Sequence, residues 1–170
     1  MGRSGVDLPR SAQPVALELR ADGVLVDGDG VAGLPGEDVT IECLSFSVSQ
    51  DAALARGSGM PTGRRSYEPI AVRKRIDRTT PLIVRALMLK REIDAVFRFY
   101  RPTSSGNVEH FFTIEIDQAA VASTSQFSPD GLSFPGAPPA VSALEDVSFA
   151  FQQIRWRYED GGIEAEDDVS

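Results

Sequence analysis

KRIDRTTPLIVRALMLKREIDAVFRFY, residues 74–100, joins a strand end, a capped helix and an apolar strand within 27 positions. Thr79 and Thr80 precede Pro81, so a hydroxyl is placed to accept from the first free amides while the proline takes the first helical position, where no amide is needed. From there Leu82, Ile83, Ala86, Leu87 and Leu89 recur at helical spacing, with Arg85, Lys90 and Arg91 on the opposite side. Ala95, Phe97 and Phe99 then alternate with Val96, Arg98 and Tyr100, which is the period of a strand. One helix is therefore expected between two strands.

Outward from this stretch the chain reads as strands. Upstream, Ile70, Val72 and Ile76 alternate with Ala71, Arg73 and Arg75, and earlier still Val15, Leu17 and Leu19 form one phase. Between them, VTIECLSFSVSQ (39–50) changes phase from Ile41 and Cys43 to Leu44, Phe46 and Val48, which predicts a bulge near Cys43 or a strand buried on both faces. Downstream, 101–107 is a turn, 110–116 (HFFTIEI) and 121–127 are two strands, and 128–141 is a Pro/Gly loop unfit for a sheet centre. The segment 144–158 reads as one long strand whose inward phase shifts at Gln152–Gln153, as a strand serving two sheets would. After it, 159–170 carries six carboxylates and no basic residue, the composition of a solvated tail.

The chain has 170 residues, 42% of them apolar and nine of them Phe, enough for one domain with a full core. The net charge of −8 conceals an asymmetry: residues 56–101 hold 12 basic and four acidic side chains, a local +8 that leaves −16 elsewhere. Such segregation suggests one basic and one acidic surface meeting head to tail, with interspersion of both signs on folding as the alternative. Cys43 is the single cysteine, residues 1–13 show no apolar signal run, and nothing approaches the roughly 20 apolar residues of a membrane span. A reducing cytosol is expected, with export left to other machinery.

Candidate chemistry is weak throughout. Asp27-Gly-Asp29-Gly invites a calcium loop, but the fifth and sixth positions are Val31 and Ala32 rather than an oxygen donor and Gly, so a turn is expected. Residues 51–67 (DAALARGSGMPTGRRSY) hold Gly57, Gly59 and Gly63 beside Arg64 and Arg65, yet no Gly-Lys-Ser/Thr follows and a strand precedes the next helix, which argues against a phosphate cradle. This unpatterned segment reads as a long projecting loop that docks on a neighbour. Cys43 has no base beside it in sequence and reads as core, and His110 reads as a strand-end hydrogen bonder. No catalytic, cofactor-binding or metal-ligating set is expected, nor is nucleic-acid binding or membrane insertion.

In order, IECLSFS (41–47), TGRRSYEPIAVRKRIDRTTPLI (62–83), FRFYRP (97–102), EHFFTIEI (109–116) and LEDVSFAFQQIRWRYEDGGIEAEDD (144–168) resemble the haemolysin-coregulated proteins, Hcp, of bacterial type VI secretion systems. The resemblance spans roughly residues 15–168. Where the family often has Met-Pro-His, this chain has Gln126, Phe127, Ser128 and Pro129.

The resemblance implies a mainly β protein: a two-sheet β-barrel with one α-helix packed alongside and a long extended loop. It makes residues 15–160 one domain, between a flexible lead-in at 1–14 and an acidic tail at 161–170. It further implies homo-hexameric rings, assembled in the bacterial cytoplasm, that stack into a tube within a contractile sheath. The tube carries a spike protein and effector proteins out of the cell. The ring-stacking loop maps onto Ala53, Arg56, Gly57, Gly59, Thr62, Gly63, Arg64 and Arg65, and candidate subunit contacts onto Arg85, Lys90, Arg91, Glu159 and Asp160. With no toxin domain after Ser170, a plain tube subunit is expected. A tail-tube subunit of another contractile injection particle fits the same architecture. A small hydrolase or secreted effector is disfavoured by the missing catalytic set, and a polyanion-binding module by the acidic balance outside 56–101.

Overall fold

The computed structural model describes residues 13–128 and 143–169, so the lead-in reading for 1–12 and the Pro/Gly-loop reading over 129–141 lie outside it. Twelve strands and one helix follow in the order β1 (Val15–Ala21), β2 (Val24–Leu25), β3 (Ile41–Cys43), β4 (Ser45–Ser47), β5 (Gln50–Leu54), β6 (Pro61–Tyr67), β7 (Ile70–Arg75), α1 (Thr80–Leu89), β8 (Ile93–Pro102), β9 (Val108–Phe127), β10 (Leu144–Ala150), β11 (Gln153–Tyr158) and β12 (Ile163–Asp168).

All pairings are antiparallel. One sheet runs β2-β1-β8-β9-β11-β12 and the other β9-β10-β7-β4, so the 20-residue β9 belongs to both. The two strands expected at 110–116 and 121–127 are the two halves of β9, which turns the corner where Gln118 takes a left-handed φ of 49°. The single strand expected over 144–158 is instead two: β10 pairs in one sheet and β11 in the other, with the crossing at 151–152. The phase change near Cys43 has the same cause. β3 pairs β1, β4 pairs β7, and the ladder is interrupted at Leu44, whose amide donates to Arg73 O. Sheets twist, so a chain that changes sheet must re-aim its side chains.

The two inner faces enclose one core, centred on Leu17, Leu19, Ile70, Phe97, Ile116 and Phe149. A two-sheet, barrel-like β fold with a helix alongside is therefore what the chain adopts. The helix runs from the end of β7 to the start of β8 and so bridges the two sheets at one end of the barrel. It buries Ile83 and Ala86 and packs Leu87 on the core. Leu82 and Leu89 of the expected apolar face are exposed, because a helix lying across a barrel end offers only a narrow stripe.

The helix start differs in detail from its sequence reading. Pro81 sits in the first turn and Thr79 holds the cap position, but no threonine hydroxyl caps a free helical amide. Both hydroxyls serve a buried ion cluster instead. Lys74 occupies the inward phase of β7 in place of Ile76, which lies past the strand and is exposed. The Lys74 ammonium donates to Glu145 Oε1 (2.5 Å) and Asp77 Oδ1 (2.9 Å). Thr80 Oγ1 donates to Glu145 (2.7 Å), and Thr79 donates through its amide and hydroxyl to Asp77 Oδ1. A charge pair fully removed from water needs every available partner, which is why the threonines are drawn away from capping.

Folding also mixes the charge segregated along the chain. Of the twelve basic residues in 56–101, eight contact a carboxylate of the same chain, among them Arg73 with Asp146, Arg75 with Glu42 and Arg98 with Glu18. Two opposed single-sign surfaces are thus not what the fold produces. Arg56, Arg64, Arg85 and Lys90 are the ones in this stretch without an ion pair among the described residues.

Candidate functional site

The segment expected as a loop over 51–67 is an ordered two-stranded hairpin, β5–β6. Its ladder extends that of β4 and β7: Ser47 faces Ala71, Ser49 O accepts from Glu68 N, and Gln50 faces Tyr67. The hairpin therefore leaves the barrel from the start of β7, while α1 follows the end of β7, and the two features lie at opposite ends of the molecule. Between Ser49 and Ser66 every residue except Ala55 is exposed. The glycines have conformational work here. Gly63 (φ 81°) sits where the β5–β6 register shifts, and Gly57 and Gly59 take positive φ in the tip turn, so the triplet that resembled a phosphate cradle builds a bulge and a turn. Thr62 Oγ1 donates to Ala53 O (3.0 Å) and steadies the bulge. Leu54 and Met60 project large apolar side chains that the chain does not cover.

The base of the hairpin is tied down by a residue that sequence reasoning assigned to a solvated tail. β12 pairs β11 along its whole length, Gln153 facing Asp168 and Tyr158 facing Ile163. Arg157 meets Glu164 (2.5 Å) and Arg155 meets Glu166 (3.5 Å) across this pair. Asp167 then reaches the other way: Arg65 Nε and an Arg65 terminal nitrogen donate to its two oxygens at 2.5 and 2.6 Å, and the Tyr67 hydroxyl donates to Oδ2. The Arg65 guanidinium, then the Tyr67 hydroxyl, hold the Asp167 carboxyl below its ordinary range. The sequence did carry a signal for β12: two arginines alternate in RWR (155–157), Gly161-Gly162 supplies a turn, and EAE (164–166) alternates in return.

The remaining predicted residues fall in two places. Arg85 lies on the exposed side of α1 and Lys90 is the exposed left-handed residue that caps its C-terminus, whereas Arg91 is engaged with Asp22 (2.6 Å) just beyond. Glu159, in the β11–β12 turn, accepts from Thr113 Oγ1 (2.5 Å), which also lies 2.7 Å from His110 Nε2. Asp160 is exposed beside it. The hairpin set and the helix set are not brought together.

Cys43 follows its core reading, whereas Asp27-Gly-Asp29-Gly forms no turn: the Gly28 and Gly30 amides donate to Val39 O and Thr40 O, so the segment runs bonded to 39–40. Cys43 is buried against β1, and burial pushes its thiol up to about 12. Asp27 and Asp29 face the Arg78 guanidinium at 3.6 and 3.1 Å.

Comparison with known proteins converges. Residues 19–158 match the model of the family described as "Type VI secretion system effector, Hcp". A Major exported protein of Pseudomonas aeruginosa (strain PAO1) is 30% identical over 117 residues, 65% of this chain and 64% of that relative. The chain's match thus spans less than two thirds of that relative's length. Among solved structures, an Hcp protein superposes with a TM-score of 0.80 at 20% identity, covering 92% of this chain and 99% of the other. Hcp1 of E. coli EAEC 042 does so with a TM-score of 0.79 at 23% identity, covering 94% and 100%. At these identities the superpositions establish the shared fold.

Proposed function

Because the chain belongs to the Hcp family of type VI secretion proteins, we propose that it is a structural subunit of the secretion tube, forming hexameric rings that stack end to end. The rings assemble in the cytoplasm inside a contractile sheath, are expelled behind a spike protein, and carry effector proteins in their lumen. The observation that carries this reading is the exposed β5–β6 hairpin, standing clear of the barrel at the end opposite α1. Such a two-ended shape suits heterologous contacts, in which one surface meets a different surface of the next copy. Arg65 is spent within its own chain, so Arg56 and Arg64 are the hairpin cations left to meet a neighbour, with Leu54 and Met60 at the tip. Arg85 and Lys90 serve in the same way on the ring contact.

The test is electron microscopy of the purified protein with analytical ultracentrifugation over a concentration series. Sixfold rings, joining into short tubes as concentration rises, are expected; monomers alone at the highest attainable concentration would overturn the reading. Arg64→Glu should shift the ring-to-tube balance toward single rings by about tenfold, the effect of reversing one contact charge, and leave the rings intact. Tubes forming as readily as in the parent would remove Arg64 from the stacking contact.

A further inference from the structure

Among the described residues, the side-chain hydrogen bonds from the β5–β6 hairpin to another element converge on a single carboxylate. Arg65 binds both oxygens of Asp167, and Tyr67 donates to one of them. The other side-chain hydrogen bonds of the hairpin, Thr62 to Ala53 and Met60 N to Ser58, stay within it. The Tyr67 ring is in turn stacked on Trp156 of β11 (centroids 6.3 Å apart, planes at 28°) and edge-on to Phe151 (5.6 Å, 73°). An isolated two-stranded hairpin exposed on both faces is marginal in water and free to swing about its base. A bidentate guanidinium–carboxylate pair fixes direction as well as distance, and a half-buried aromatic wedge fixes rotation.

We propose that Asp167 on β12 is a positioning residue that locks the hairpin in the pose required to meet a second copy of the chain. The acidic C-terminal strand is on this view a latch, held against β11 by its full-length backbone ladder, that presents Asp167 to the hairpin base. The locking of the pose stands on this chain's geometry alone; its consequence for stacking rests on the tube-subunit reading above.

Hydrogen exchange of the full chain, followed by mass spectrometry, tests the lock. Asp167→Ala and Arg65→Ala should each raise exchange over residues 50–67 about tenfold while the barrel strands keep the parent's protection, and the double variant should be no worse than either single. Glu164→Ala, which breaks a pair on the same strand away from the hairpin, should leave residues 50–67 unchanged. The emission of Trp156, the sole tryptophan, reports the Tyr67 stack independently and should move in Asp167→Ala but not in Glu164→Ala. Unchanged exchange over 50–67 in Asp167→Ala and Arg65→Ala, or an equal rise in Glu164→Ala, overturns the lock. Raised exchange with undiminished ring stacking overturns its role in assembly. Failure of the parent itself to stack would count against the tube reading, while the exchange result would still decide the lock.

Discussion

At the scale of single residues, burial controls the reactivity of Cys43. Cys43 falls in the buried phase with Ile41, and both are core. With its thiol pushed up to about 12 by burial, Cys43 should not react with a thiol reagent at pH 8 in the folded protein and should react fully in denaturant; labelling at the folded rate of a free thiol would contradict its placement. Lys74 was hidden by the habit of reading lysine as surface: it takes the third inward position of β7 after Ile70 and Val72, because Glu145 on the paired strand β10 meets it there. Lys74→Ala leaves the Glu145 carboxylate buried without its counter-ion and should cost about 3–5 kcal/mol in urea unfolding. A joint Lys74→Met, Glu145→Leu replacement should recover most of that loss. Equal destabilisation by both variants would mean that packing, and not the uncompensated charge, dominates.

At the scale of elements, two strand pairs escaped the sequence for a common reason. Periodicity is a record of burial, and the β5–β6 hairpin has no buried face, so its residues carry no alternation to read. β12 alternates only in charge against Arg155 and Arg157, a pattern that composition alone turns into a polar tail. The helix, by contrast, is placed by Pro81 and the spacing of Ile83 and Ala86, while its capping and the burial of Leu82 and Leu89 differ from the sequence reading. The loop joining β2 to β3 carries a further element-scale prediction. A Cβ at Gly28 would lie 2.3 Å from the Thr40 carbonyl oxygen, in the backbone that Gly28 and Gly30 bond through Val39 O and Thr40 O. Gly28→Ala must push this loop away from Thr40 and should lower stability by about 1–3 kcal/mol in urea titration. Gly33→Ala in the same loop meets no atom within 4 Å, although its φ of 79° disfavours a side chain. It should therefore cost less; the reverse order would show that φ strain outweighs the clash.

At the scale of the whole molecule, the barrel was announced by three interruptions of the strand period, at Cys43–Leu44, at 117–120 and at Gln152–Gln153. Each proves to be a passage from one sheet to the other. The same architecture distributes ion pairs around the wall, and this sets the response of the fold to acid. Glu18, Asp22, Asp77, Asp146 and Asp167 all have carboxyls held below their ordinary values. The main lowering partners are Arg98 for Glu18, Arg91 for Asp22, Thr79 and Lys74 for Asp77, Arg73 for Asp146, and Arg65 for Asp167. A folded value below the unfolded one means that the unfolded chain binds protons first as pH falls. The stabilisation is then complete above the unfolded value and is lost as pH drops through the folded one. Asp117 runs the other way: burial, with the Asp94 charge beside it, raises its carboxyl, so its protonation in acid relieves the fold slightly. Five groups against one leave acid destabilising. The melting temperature should be nearly flat from about pH 6 to 8 and fall steadily below about pH 5. In Asp146→Asn the acid slope should be shallower, because one of the five protonation events is gone. An acid slope unchanged in that variant, or a melting temperature that rises below pH 5, would show that the wall pairs do not control the acid response.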